Sequence, residues 1–181
     1  MEQNTKTLLK ILHVLSWIIF VGVCIEAGGF MTNAFAALVK PEIVKYLWHE
    51  ADLSALLQHD RGHFVALMLA MGIVAIMRGW LFFLIIKLLY DKKLDLTRPF
   101  SREMRRFIFQ VAYVALLIGL FSAGGASYSR WLAEQGVPMP GTEQIRLDGA
   151  DVWLFMSVVL FVIGLVFKRG VAMQTENELT I

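Results

Sequence analysis

FVALMLAMGIVAIMRGWLFFLIIKLLY, residues 64–90, is the stretch that decides the fold. It carries only two charges, Arg78 and Lys87. At 1.5 Å per helical residue it reaches about 40 Å, and a bilayer core of about 30 Å needs roughly 20 residues. Backbone polar groups cannot stay unpaired in lipid, and a helix pairs them within one segment. A transmembrane barrel would alternate apolar and polar residues, which this run does not do.

Three more runs read the same way, 8–30, 107–126 and 152–167. The chain of 181 residues is 57% hydrophobic and 18% charged, where soluble domains sit near 45–50% and about 25%. Its mean hydropathy is +0.62. The fourth run is short: the residues between Asp151 and Lys168 span about 24 Å, so Lys168 and Arg169 must snorkel or the bilayer must thin. The expected fold is all-α. It is an integral membrane bundle of four transmembrane helices in one domain, 1–181, with outer loops 31–63 and 127–151, an inner loop 91–106 and a tail 168–181.

Lys and Arg set the orientation. With the N-terminus inside, eleven fall on the inner side and five on the outer, with Arg78 within a span. That excess puts both termini in the cytoplasm. Trp48, Tyr128, Trp131 and Trp153 then lie at the outer boundary and Tyr90 at the inner one. Ala34-Phe35-Ala36 has the form of a leader cleavage site, but the apolar run before it is too long and Glu26 interrupts it, so the first run is read as a retained span. Cys24 is the single cysteine, so no intrachain disulfide forms, and it reads as a small apolar filler.

Residues 51–57 mix apolar and polar side chains, which predicts a short outer helix at the interface. Residues 136–141, Gly-Val-Pro-Met-Pro-Gly, predict turns and no helix. Ser101 is placed to cap the third helix, with Glu103 in its first turn. Gly72, Ala75 and Gly79 share one face of the second span and form a close-packing seam. Ala27-Gly28-Gly29 and Ala123-Gly124-Gly125 each end a span, where their glycines let helices approach or unwind.

Arg78 is the most expensive residue to insert, and an intramembrane charge of this kind marks a partner or a pathway unless it snorkels to the interface. Gln110 and Tyr113 lie at a similar depth and are its candidate partners. Glu26 counts roughly 10–15 Å away along the membrane normal, which argues against a direct pair. His13 and His63 fall at opposite membrane faces, so they cannot sandwich one haem. His59 and His63 are spaced four apart, with His49, Glu50 and Asp52 nearby, as a zinc site would require. Polar residues at a helix mouth are the simpler reading, so no metal or cofactor is assigned. No phosphate loop, nucleophile elbow or Cys-His pair is present, which predicts a protein that is not an enzyme. The basic inner segment 87–106 reads as a topology anchor that also suits anionic lipid or an acidic partner, and it is too short for a nucleic-acid-binding domain.

The tail carries a resemblance. Lys168-Arg169-Gly170 followed by Glu176-Asn177-Glu178-Leu179-Thr180-Ile181 resembles the close of a bacterial membrane family called domain of unknown function 2975. Pro99-Phe100-Ser101, then Arg105-Arg106-Phe107, is similar to its inner loop, and the four-helix layout is similar over nearly the whole chain. The segment 48–63 looks like a subgroup feature. The family has no established activity. The resemblance implies a bacterial inner-membrane protein and a small cytoplasmic helix-turn-helix regulator as partner. The surface expected to meet it comprises Arg98, Phe100, Arg102, Arg105, Arg106, Gln174, Glu176, Asn177, Glu178, Leu179 and Ile181. A signalling anchor is therefore expected first. A small oligomeric transporter or channel using Glu26, Arg78 and Gln110 comes second, and a metalloprotein or enzyme using His49, His59 and His63 third.

Overall fold

The computed structural model describes residues 2–40, 42, 52–90 and 100–178. These form five helices: α1 (Glu2–Val39), α2 (Ser54–His59), α3 (Arg61–Tyr90), α4 (Arg102–Glu134) and α5 (Ala150–Glu178). Four are long and apolar enough to cross a membrane, as four uninterrupted apolar runs require. The chain is an all-helical, multi-pass membrane protein.

The long helices alternate in direction, so the start of α1 and the end of α5 lie at one end of the bundle, here the terminal end. Helix α2 and the loop 135–149 lie at the other, the loop end. Helix α1 packs on α3, α3 on α4, and α4 on α5, which arranges the helices as a row. Of the most apolar stretch of each helix, 44% is buried in α3 and 33% in α4, against 6% in α1 and 11% in α5. The inner pair is sandwiched; the outer pair offers one face to lipid.

The helices outrun their apolar stretches. Helix α1 continues past Gly28 and Gly29 to Val39, burying Phe30, Ala34 and Ala37. The helix is unbroken through both glycines, and Thr32 Oγ1 donates to the Gly28 carbonyl at 2.7 Å and Asn33 Nδ2 to that of Gly29 at 3.0 Å. Helix α4 likewise passes Gly124 and Gly125 and reaches Glu134. Helix α5 has 29 residues, not the short run between Asp151 and Lys168, because charged Lys168 and Arg169 continue the helical bonding beyond the apolar part. Apolarity marks where lipid lies; hydrogen bonding marks where the helix ends.

Those ends have local causes. Ser101 is extended (φ −95°, ψ 155°) and its Oγ accepts from the Met104 N–H at 3.1 Å, the expected cap. Helix α4 stops at Gly136, whose φ of +86° only glycine adopts cheaply. There Val137 N–H donates to the Leu132 carbonyl and Gly136 N–H to that of Ala133, closing the helix with buried Val137 against buried Leu132. Helix α2 starts at Ser54, where the Asp52 carboxylate accepts from both the Ser54 N–H (3.0 Å) and its hydroxyl (2.6 Å); Ala51, where the expected segment began, lies outside the described residues. It buries Leu56, and Leu53 beside it, against the start of α3.

The core is concentrated toward the loop end. It joins Phe30, Ala34 and Ala37 of α1, Leu56 of α2, Phe64, Leu67, Met71 and Val74 of α3, and Ile118 and Leu132 of α4. Ile145 and Leu147 come from the loop itself and are fully buried. The glycine seam of α3 meets α1: Gly72 lies against Met31 and Gly79 against Val23.

Candidate functional site

The seam fixes the register of the charges. Because Val23 faces Gly79 and Met31 faces Gly72, Glu26 falls level with Ile76 and Met77 on the antiparallel α3. Arg78 is one or two residues from that level, about 1.5–3 Å along the axis. The separation expected from sequence, roughly 10–15 Å, is therefore wrong. It took Glu26 as the outer end of a span that in fact runs on to Val39. Glu26 and Asp148 are the carboxylates acting on Arg78, with the Arg146 charge also in range.

The ion pair that forms is with Arg146, a residue read from sequence only as an outer basic group. Arg146 Nε lies 3.3 Å from Glu26 Oε1; the carboxylate side chain is 17% exposed and the guanidinium side chain 52%. Arg146 sits in the loop between Gly141 and Gly149, flanked by buried Ile145 and Leu147. Leu147 packs onto α4 at Gly125, where a Cβ would come within 2.7 Å of its Cδ1. The alternation Ile145-Arg146-Leu147-Asp148, between glycines, was the signal that this segment inserts apolar side chains and turns charged ones away.

Gln110 and Tyr113 do not reach Arg78. Both are exposed, and Tyr113 turns its ring onto Phe161 of α5, edge to face at 5.0 Å. The Nε of Arg78 is buried without a hydrogen-bond partner. Helix α4 therefore presents Gln110 and Tyr113 to its outer side, and depth alone did not reveal the face.

At the loop end, His63 and Tyr128 tie α3 to α4. His63 Nδ1 and the Tyr128 hydroxyl are 2.6 Å apart. The Tyr128 and Trp131 rings stack at 5.9 Å and 15°, and His63 meets Trp131 edge-on at 5.6 Å. Asp60 starts α3: its Oδ1 accepts from the His63 N–H at 2.8 Å, and that bond lowers the Asp60 carboxyl below its usual value. Asp60 also breaks the chain between α2 and α3 with an extended backbone (φ −157°, ψ 126°). His59 and His63 consequently do not share a helical turn, and His63 is turned to Tyr128. His49 lies outside the described residues, among which no group of three metal-ligating side chains gathers. Cys24 is exposed, in an apolar groove of about 390 Å³ between α1 and α3.

At the terminal end, Phe100 packs on Phe167 at 5.2 Å and fits against Gly170 of α5. Around it Arg102 and Arg106 are exposed and Arg105 is half-buried on α4, while Lys168 and Arg169 are exposed on α5. Gln174 is half-buried and Glu176 exposed, and α5 continues through Asn177 to Glu178 as helix. Arg98, Leu179 and Ile181 lie outside the described residues.

Residues 48–181 match the family described as protein of unknown function (DUF2975). The matched stretch takes in the segment 48–63 and the helices α2 to α5, and leaves α1 outside it, which is less than the nearly complete coverage expected. Searches of curated proteins and of solved structures returned no match. With three of its four long helices inside the match, the chain belongs to the DUF2975 family of proteins of unknown function.

Proposed function

We propose that this protein is a non-enzymatic sensor or anchor of the bacterial inner membrane that holds a small helix-turn-helix regulator at its terminal end, with that end in the cytoplasm. One observation carries the reading: Phe100, just before α4, packs on Phe167 and Gly170 of α5. This contact draws the basic start of α4 and the last turns of α5 into one surface. Eight residues of α5 continue beyond Gly170, about 12 Å of helix. A basic collar around a projecting helix suits a partner with an acidic groove. The excess of Lys and Arg at this end supports its cytoplasmic placement.

The test is purification of the full chain from its native membrane, with mass spectrometry of what accompanies it. A small helix-turn-helix protein should co-purify and be lost when residues 174–181 are deleted, while the deleted chain still inserts. Retention of the partner after deletion, or no such protein with the intact chain, rejects the reading.

A second reading, a subunit of a small oligomeric transporter or channel, is favoured by the common level of Glu26 and Arg78 inside the bundle. The exposed apolar faces of α1 and α5 are where further copies would pack. Reconstituted protein should then support flux that Arg78→Leu abolishes; no flux from the intact protein removes this reading.

A further inference from the structure

Glu26, Arg78, Arg146 and Asp148 gather two carboxylates and two guanidinium groups near one another, with no net charge. In the observed arrangement one ion pair forms among them, Glu26 with Arg146 at 3.3 Å. Among the described residues Arg78 makes no hydrogen bond or ion pair, and Asp148 makes no ion pair. Leaving a guanidinium unmatched inside a membrane bundle is costly. The same four charges have a second pairing. Glu26 is level with Arg78 across the α1–α3 seam, and Arg146 and Asp148 are two apart in one loop.

The two pairings differ in what they hold. Glu26 with Arg146 clamps the loop 141–149 to α1. Glu26 with Arg78 closes within the α1–α3 pair and frees the loop, whose own Arg146 and Asp148 then satisfy each other. Burial of Ile145 and Leu147 favours the clamped form. Against it stands the Arg146 backbone at φ +56°, a left-handed conformation that a side chain bearing a Cβ adopts only under constraint. Helix α1 packs on α3 and not extensively on α4, so this loop, seated on Gly125 of α4, is what ties the two together.

We propose that Glu26 is a shared counter-ion that exchanges between Arg146 and Arg78, and that the exchange latches or releases the loop 141–149 at the loop end of the bundle. The latch is a two-state element: no charge is created, and each state satisfies Glu26. It operates without any partner at the terminal end, so its failure and the failure of the anchor reading are separate outcomes.

The test uses the detergent-solubilised full chain with Cys24→Ser and Ile145→Cys. The reporter cysteine replaces a fully buried residue, so its reaction with a water-soluble maleimide tracks the fraction of released loop. Arg146→Gln should speed labelling roughly fivefold or more, and Arg78→Gln, by removing the competitor for Glu26, should slow it by a similar factor. Arg78→Lys should stay near the starting rate. In a Glu26→Gln background Arg78→Gln should change nothing. A purely structural Arg78 gives the opposite sign, since its loss would loosen the bundle. Labelling that is unchanged or faster in Arg78→Gln, slowing that persists without Glu26, or no acceleration in Arg146→Gln overturns the proposal.

Discussion

Asp60 closes α2 and opens α3, and the largest influence on its carboxyl is the bond from the His63 N–H, with the Gly62 N–H and the two histidine charges acting the same way. That bond favours the charged carboxylate, so the group titrates lower in the folded protein than its ordinary value near 3.8. The sign follows: the contribution is complete above that ordinary value and disappears as pH falls through the lowered folded one. Thermal unfolding in detergent should therefore show a loss of stability on acidification below about pH 4 that is smaller in Asp60→Asn, which keeps the cap without the titration. An unchanged acid limb in that variant would show that other carboxylates dominate. His63 supplies a second test nearby. Tyr128→Phe removes the hydroxyl 2.6 Å from Nδ1 and strands a part-buried ring nitrogen, at a cost of about 1–3 kcal/mol. A melting temperature equal to that of the parent would mean that water replaces the hydroxyl. Neither pairing was legible in the sequence. His63 was weighed with His59 because they are four apart, yet Asp60 between them breaks the helix, and Tyr128 is distant in sequence.

Helices as elements were legible, their ends less so. Ser101 and the stop at Gly136 have chemical signatures that read directly, a hydroxyl before a helical run and a glycine before proline. The continuation of α1 beyond Gly29 and of α5 beyond Phe167 had none, because polar and charged residues extend a helix in water as readily as apolar ones extend it in lipid. Of the two roles expected for the Ala-Gly-Gly tripeptides, close approach and unwinding, the helices show no unwinding, and close packing occurs at Gly125. Gly124 faces open space inside a continuous helix, whereas its neighbour Gly125 is where Leu147 docks. The same substitution should have opposite effects at Gly124 and Gly119. Gly124→Ala meets nothing and gains helix propensity, about 1 kcal/mol. Gly119→Ala places a methyl 2.7 Å from Leu154 Cγ and 3.1 Å from its backbone nitrogen, an overpacking loss of about 1–3 kcal/mol. Melting temperatures in detergent that move the same way for both variants would contradict this account of the α4–α5 contact.

The arrangement of the whole molecule was the least legible level. Four spans and a shared end for the termini follow from counting apolar runs, but which helices touch does not, since lipid and protein interior are equally apolar. The row of α1, α3, α4 and α5 depends on small residues placed at crossings: Gly72 and Gly79 of α3 toward α1, Gly119 of α4 toward α5, and Gly164 and Gly170 of α5 toward Phe109 of α4 and Phe100 just before it. The candidate charge site shows the same limit. Glu26 and Arg78 stood out one by one, whereas Arg146 joined them only once the loop had folded back. A row of two antiparallel pairs, joined where α3 meets α4, makes a prediction about assembly. Each pair can insert as a hairpin, and the join is held by the His63–Tyr128 contact and the core around Ile118. Chains 1–95 and 96–181, expressed together, should therefore associate in the membrane and co-purify in mild detergent through a tag on one of them. Tyr128→Phe should reduce the yield of the untagged half. Recovery of the tagged half alone would show that continuous chain, not the α3–α4 contact, keeps the two pairs together.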